Sequence, residues 1–242
     1  MMILLSMFCF PVFSQEIDIG EPETQTLKVR QWDMFLSLHT NGIGLGARIE
    51  RIKSIKLQHG FDMEWTFYRH FKEQKLDNFV LGKKNYFFLL RGGYGCTRIL
   101  NTRPYNGGVE FGFFFYGGVS LGVSIPVFVN VYYISYNDNG QAILNIKTEQ
   151  YTEETYGDMI ESKAPFFNGL KKIKFHPGMY AKTGLSFDFS SNDNFVLKMD
   201  MGVAVDIYAL PVEKMMYAPK QYLLLTGFLT LHLGKRKSIH DL

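Results

Sequence analysis

Apolar and polar residues alternate with a period of two along most of the chain, and the segment from Phe195 to Ala209 shows this most clearly. Its odd positions are apolar: Phe195, Leu197, Met199, Met201, Val203, Val205 and Ile207. The even positions between them include lysine, aspartate and glycine. Because successive side chains of a strand point to opposite faces, this pattern predicts a strand with one apolar and one polar face. The segment is long enough for a tilted strand to cross a bilayer.

The same alternation predicts eight strands. Their approximate bounds are Arg30–His39, Ile43–Lys53, Gly60–His70, Asn85–Ile99, Val109–Val123, Met179–Phe189, Phe195–Ala209 and Tyr222–Leu233. Many apolar, lipid-compatible faces opposite polar, glycine-rich faces are typical of an outer-membrane barrel, in which apolar side chains point outward. The alternative is a soluble lipocalin-like barrel or a β-sandwich. The size of the apolar faces, and large aromatics near strand ends, such as Trp32 and Tyr86, favour the membrane barrel.

The spacing of the strands indicates their orientation. With the N-terminus in the periplasm, the connections after the second, fourth and sixth strands are short periplasmic turns, as outer-membrane barrels have. The third outer connection, from Ser124 to Ile173, is long. The first outer connection, Thr40 to Gly42, is shorter than is usual on that side. We therefore predict an all-β fold, an eight-stranded antiparallel transmembrane β-barrel with a long third extracellular loop.

The N-terminus predicts export. Residues 1–13 are uncharged and largely apolar, and Val12 and Ser14 suit cleavage by signal peptidase after Ser14. No basic residue precedes this stretch, and the stretch is too short to span a bilayer as a helix. We expect a signal peptide at residues 1–14, a single barrel domain at residues 15–242, and an integral protein of the bacterial outer membrane.

Charged residues change this picture little. The net charge of +3 is too small to indicate nucleic-acid binding. The charges that fall on inward faces are Arg48, Glu50, Asp62, Glu64, Arg91, Glu110, Lys182, Asp188, Lys198, Asp200 and Asp206. An eight-stranded barrel has room for little more than its own side chains, so these charges should pair with one another. Asp200 with Lys198, and Asp206 with Arg48, are combinations that could make a catalytic set, but sequence gives no geometry for them.

No catalytic, cofactor or metal site is predicted. The histidines lack the spacing to Cys or carboxylate residues that a metal site needs. Ser37 and His39 lie two apart on one strand face, which fits lumen polar residues better than a hydrolase pair. The protein is therefore expected not to be an enzyme.

The long third loop is the predicted functional element. Val127 to Ile134 reads as a strand that could extend a hairpin above the membrane. Four aromatics of the loop, beside mixed charges, suit a protein contact: Tyr151, Tyr156, Phe166 and Phe167. The alternative is a loop that merely folds over the barrel mouth.

Four segments carry a family resemblance: His39 to Gly46, Tyr116 to Gly122, Lys174 to Gly178, and Leu233 to Arg236. Together they resemble an outer-membrane β-barrel family of Bacteroidota, whose members are mostly uncharacterised. The resemblance implies the fold and the location, and the predicted cleavage between Ser14 and Gln15 suits that group. One departure is a basic tail after the last strand, where such barrels usually end on an aromatic residue.

The sequence thus predicts a non-enzymatic structural or accessory barrel that contacts outer-membrane lipid and binds protein partners through its outer loops. By analogy with other small barrels of that phylum, those partners would belong to a secretion or outer-membrane assembly complex. The alternatives are a membrane-embedded enzyme acting on lipid or peptide, and a narrow channel.

Overall fold

The structure is a computed structural model of the 242-residue chain. It describes residues 28–54, 56–69, 74–76, 79–102, 108–136, 141–152, 160–190, 194–214 and 219–238. The predicted signal peptide at residues 1–14 lies outside the described residues. No helix within the described ranges is both long and apolar enough to cross a membrane.

Eight antiparallel strands close into a barrel: β1 (Lys28–His39), β2 (Gly42–Ser54), β3 (Leu57–Tyr68), β6 (Asn85–Asn101), β7 (Glu110–Pro126), β11 (Lys174–Asp188), β12 (Phe195–Val212) and β13 (Gln221–Ser238). Their order around the ring is β1-β13-β12-β11-β7-β6-β3-β2. Each strand pairs with the next one around the ring, and β1 pairs with β13, so the ring is closed. Closure leaves no long unpaired edge in the wall, as a lipid environment requires.

The alternation of the sequence becomes the two faces of this wall. The outward residues of β1 are Trp32, Met34, Leu36 and Leu38, and each is at least 44% exposed. The residues between them, among them Asp33 and Ser37, are buried inside the barrel. The protein therefore buries its polar side chains and exposes its apolar ones, as a transmembrane β-barrel does and a soluble barrel does not.

All eight predicted strands are confirmed, and most extend a few residues beyond their predicted bounds. The third outer connection is folded rather than irregular. It contains β8 (Phe128–Tyr136), β9 (Ala142–Gln150) and β10 (Ile160–Lys163), which form a three-stranded sheet in the order β10-β8-β9. This outer sheet confirms the predicted hairpin above the membrane. A 3-10 helix, the rim helix Phe166–Lys172, leads back to β11.

The second outer connection contains a smaller pair of strands, β4 (Gln74–Leu76) and β5 (Phe79–Leu81). The first is a tight turn at Thr40 and Asn41, so β1 and β2 end well below the neighbouring strand β13. His39, the last residue of β1, pairs with Phe228 of β13, and residues 221–227 of β13 extend outward beyond this pair. The Thr40 amide donates to the Gly227 carbonyl at 2.9 Å. The outer rim of the barrel is therefore uneven, and it is lowest at the β1–β2 turn.

Glycines make room for aromatic rings inside the barrel. A Cβ atom at Gly46 would stand 2.4 Å from the Phe35 ring, and one at Gly95 would stand 2.6 Å from the Tyr116 ring. Both distances are shorter than any real contact between carbon atoms. A side chain at either position would therefore clash with the ring and, more closely, with a backbone carbonyl oxygen, that of Met63 at 2.3 Å or that of Phe115 at 2.1 Å.

Candidate functional site

The lumen of the barrel is filled by ion pairs. All of the predicted inward charges are buried except Glu110, which is half-buried. At mid-height, Arg48 donates to Asp200 at 2.7 Å and to Asp62 at 3.2 Å. Lys182 reaches both Asp62 and Glu64 at 3.2 Å. One guanidinium and one ammonium thus join strands from opposite sides of the barrel, which is the arrangement that buried charges need.

This network continues toward both ends. Toward the outer side, Arg91 donates to Asp206 through Nη2 at 2.6 Å and Nε at 3.1 Å, and its Nη1 reaches Glu64 at 3.5 Å. Toward the periplasm, Lys198 donates to Glu50 at 2.9 Å. The two combinations considered for a catalytic set, Asp200 with Lys198 and Asp206 with Arg48, do not form ion pairs; Asp206 pairs with Arg91 and Asp200 with Arg48. Residues two apart on one strand point the same way but need not touch, whereas the true partners lie across the lumen.

Two histidines join the network through carboxylates distant in sequence. His39 Nε2 lies 2.5 Å from Glu64 Oε1, and His232 Nδ1 lies 2.7 Å from Asp33 Oδ1. Ser37 instead hydrogen-bonds Thr230 at 2.9 Å, so Ser37 and His39 do not form a hydrolase pair. The spacing of Ser37 and His39 along β1 could not predict these contacts, because the partners come from other strands.

Apolar side chains close the outer end of the lumen. The cluster consists of Tyr68, Phe87, Leu89, Tyr208, Val212 and Leu224. Above it, the Lys214 ammonium lies 3.7 Å from the centroid of the Tyr68 ring. Burial lowers the pKa of Lys214 from 10.5 to about 7. Among the described residues, charges are thus paired in the middle of the lumen and apolar rings are packed above them.

Next to this apolar cluster, ion pairs connect three outer segments, those that carry Lys84, Glu213 and Lys220. Glu213 accepts from Lys84 at 2.6 Å and lies 2.8 Å from Lys220. The hydrogen bond from Lys220, and then the one from Lys84, lower the pKa of the Glu213 carboxyl to about 2. These ion pairs hold the loop that carries Lys214 over the lumen.

One serine–histidine contact lies near the outer rim. Ser124 Oγ and His176 Nε2 are 3.0 Å apart, and both residues are buried. In the described part of the chain, no carboxylate hydrogen-bonds His176, and neither side chain faces lipid or solvent. The pair therefore lacks both the third group and the access that a barrel hydrolase would need. The described residues also contain no group of three potential metal ligands.

The four predicted loop aromatics occupy different environments. Tyr151 is completely buried in a cluster with Val127, Val129 and Val131, and its hydroxyl accepts from the Gly82 amide at 3.3 Å. Tyr151 thus anchors the outer sheet to the rim and is not available to a partner as the structure stands. Tyr156 lies outside the described residues.

The other two predicted aromatics lie on the rim helix. The Phe166 ring packs 5.4 Å from that of Tyr86 and 6.4 Å from that of Phe88, and Phe88 belongs to the outward wall of β6. Phe167 is 75% exposed. This position places the rim helix beside the wall, at the level where aromatic side chains meet the membrane surface.

The outer hairpin, formed by β8 and β9, exposes an apolar face that the sequence reading missed. Its members are Tyr132, Ile134, Tyr136, Ala142, Leu144 and Ile146. They form three consecutive cross-strand pairs, Tyr132 with Ile146, Ile134 with Leu144, and Tyr136 with Ala142. Ile134 is 55% exposed and Leu144 is 59% exposed. We call this set the apolar hairpin face. The alternation of β8 was the available signal, but Ile143 and Leu144 both being apolar obscures it in β9.

The described side chains thus define an eight-stranded transmembrane β-barrel that carries a folded outer sheet. No family model matches the sequence, and no curated protein matches it. The fold is similar to that of Neisserial surface protein A, with 10% identity, a TM-score of 0.41, and coverage of 85% of this chain and 94% of that one. It is also similar to Ail, the attachment invasion locus protein of Yersinia pestis, with 11% identity, a TM-score of 0.40, and coverage of 87% and 97%. The architecture rests on the strand register described above.

Proposed function

We propose that this protein is a non-enzymatic accessory barrel of the bacterial outer membrane that presents its outer hairpin to a protein partner. The apolar hairpin face is the observation that carries this proposal. Large exposed apolar patches on proteins mark interaction sites, and aromatic residues are enriched at the centres of such sites. Because the hairpin belongs to the outer sheet, its apolar face is not explained by the lipid that covers the barrel wall.

The sheet topology supports the same proposal. In the order β10-β8-β9, strand β9 lies at the edge, and its far side has no partner among the described strands. An open strand edge beside apolar side chains suits a partner that adds an extended segment to the sheet. Protein partners in a secretion or outer-membrane assembly complex, and the resemblance to a Bacteroidota family, stay predictions.

The closed interior supports a structural role over the two alternatives. Among the described residues, side chains fill the lumen and its charges lie in ion pairs, which favours a structural role over substrate binding or ion conduction. The barrel in this proposal is a rigid membrane anchor that holds the outer hairpin at a fixed height above the surface.

The proposal is tested by crosslinking and affinity purification from native outer membranes. The double substitution Ile134→Ser and Leu144→Ser removes one cross-strand pair from the centre of the apolar hairpin face. It should abolish recovery of a specific crosslinked protein while the barrel still migrates as a folded species on unboiled gels. The matched control is Lys147→Gln, on the other face of β9, which should keep the crosslink. If the double variant recovers the same proteins as the wild type, the hairpin is not the contact surface.

A further inference from the structure

A row of basic residues crosses three neighbouring strands at the periplasmic end of the outer wall. Arg30 of β1 lies directly opposite Lys237 of β13 on one side and Arg51 of β2 on the other. All three side chains are exposed. Lys53 and Lys235, also exposed, lie next to this row. We call these five residues the basic belt.

The strand pairing places the positive charges of the basic belt directly opposite one another, which destabilises the protein unless an anion binds there. Directly opposed residues of an antiparallel pair have Cβ atoms about 5 Å apart, and like charges at that distance destabilise the sheet. None of the five has an ion-pair partner among the described residues. The described outward side chains of the eight barrel strands include no aspartate or glutamate at all. The repulsion is therefore uncompensated within the described wall, and an external anion would relieve it.

The position of the basic belt identifies the source of that anion. The next outward residues toward the middle of the wall are Trp32, Ile49 and Leu233, which are each 44–59% exposed and apolar. Trp32 is itself the cross-strand neighbour of Lys235 and Ile49. Cations directly below an apolar band, with a tryptophan at the boundary, lie at the level of lipid headgroups. A ligand that fits must combine a negative headgroup with an acyl chain.

We propose that the basic belt binds the phosphate of anionic phospholipids in the inner leaflet of the outer membrane. The lipid headgroup would bridge Arg30, Arg51 and Lys237, while its acyl chains lie along Trp32 and the apolar wall. Arginine side chains suit this role because their planar, always-charged guanidinium groups bind phosphate oxygens in pairs. The belt would thus fix the depth and the rotation of the barrel in the bilayer.

The two tryptophans of the chain give a local readout of this site. Trp32 borders the basic belt, whereas Trp65 lies on the outward face of β3 between Leu45 and Leu90. The protein with Trp65→Phe reports on Trp32 alone, and the protein with Trp32→Phe reports on Trp65 alone. Each is reconstituted in vesicles of phosphatidylcholine with phosphatidylglycerol, with one of the two lipids brominated in its acyl chains so that it quenches tryptophan fluorescence on contact.

Brominated phosphatidylglycerol should quench Trp32 with a relative association constant about fivefold higher per contributing cation than brominated phosphatidylcholine. The two lipids should quench Trp65 equally. The triple substitution Arg30→Gln, Arg51→Gln and Lys237→Gln should remove the preference at Trp32. Arg30→Lys with Arg51→Lys should keep most of it, and so should Lys147→Gln on the outer sheet.

Two outcomes would overturn the proposal. One is equal quenching of Trp32 by both lipids in the protein with the intact basic belt. The other is a preference that survives the triple substitution. Residues 16–23 carry four acidic groups and precede β1, so they are a competing occupant. Neutralising those acids should keep the lipid preference or raise it, because a competing anion is removed; loss of the preference would be a third outcome that overturns the proposal.

Discussion

The barrel wall and the outer hairpin are both built on strands with an apolar face, yet those faces meet different surroundings. On the wall, residues such as Val203, which is 48% exposed, face lipid, and the opposite side chains are buried in ion pairs. On the hairpin, Ile134 is 55% exposed. It lies beyond the barrel wall, so contact with membrane lipid does not account for its exposed apolar side chain. The same pattern therefore serves two purposes, membrane insertion in one region and, in our proposal, partner binding in the other.

The two regions also differ in what holds them together. The barrel is stabilised by closed strand pairing and by buried ion pairs that reach across the lumen. Among the described residues, the outer sheet packs on an apolar cluster around Tyr151, beneath β8. We therefore expect substitutions to separate the two regions, so that each can be weakened without the other.

The largest effect should come from the lumen. Arg48→Met removes the arginine that pairs with Asp200 at 2.7 Å and one of the two cations that pair with Asp62, and breaking a buried ion pair in this way costs about 3–5 kcal/mol. The free energy of unfolding, measured by urea titration in vesicles, should fall by that amount. Arg98→Met, an exposed position on the same barrel, is the control and should change it by less than about 0.5 kcal/mol.

Tyr151→Ala should loosen the outer sheet alone. Removing a fully buried aromatic ring costs about 3–5 kcal/mol, and here the loss falls on the cluster with Val127, Val129 and Val131. Amide hydrogen exchange should become faster in β8 and β9 but not in the barrel strands. Tyr136→Ala, whose ring is 74% exposed, should leave exchange unchanged. Equal acceleration in the barrel would show that the two regions unfold together.

Val203→Arg places a charge on the lipid face and should cost about 2–4 kcal/mol near the middle of the bilayer. Ile134→Arg, at a similarly exposed apolar position of the hairpin, should cost less than about 0.5 kcal/mol because water surrounds it. Both values come from the same urea titration. A harmless Val203→Arg would contradict the orientation of the wall.

A further effect should be a pH dependence of the stability at the outer rim. The folded pKa of Lys214 is lowered from 10.5 to about 7, so the folded protein loses its proton earlier than the unfolded chain. The unfavourable burial of this charge is fully present below pH 7, and stability rises as pH increases from about 7 to 10.5. Lys214→Met should remove this rise. The measurement is the free energy of unfolding of variant and wild type as a function of pH. If the wild type and the variant show the same slope between pH 7 and 10.5, Lys214 is hydrated in the folded protein.

Local alternation was enough to predict the barrel, because each strand carries its own two-residue pattern. The ion pairs could not be predicted, since they depend on how strands far apart in sequence face each other across the lumen. Arg48 and Asp62 are neighbours through the register of β2 and β3, whereas Asp200 reaches Arg48 from the opposite wall.

The loop aromatics illustrate the same limit. The sequence predicts that Tyr151 contacts a partner. In the structure, Tyr151 instead packs against the apolar face formed by odd positions of β8, including Val129 and Val131, and buries it. That face is visible in the sequence, but the residue that covers it is not. The apolar hairpin face is on the other side of the same strand, and recognising it needed the cross-strand pairing with β9.

Photo-crosslinking in intact cells tests the central contrast most directly. A benzoyl-phenylalanine residue is introduced at Ile134 in one protein and at Val203 in another. Position 134 should give a discrete protein adduct on irradiation, whereas position 203 should give lipid adducts only. A protein adduct at position 203 with none at position 134 would contradict the account, because it would place the binding surface on the barrel wall.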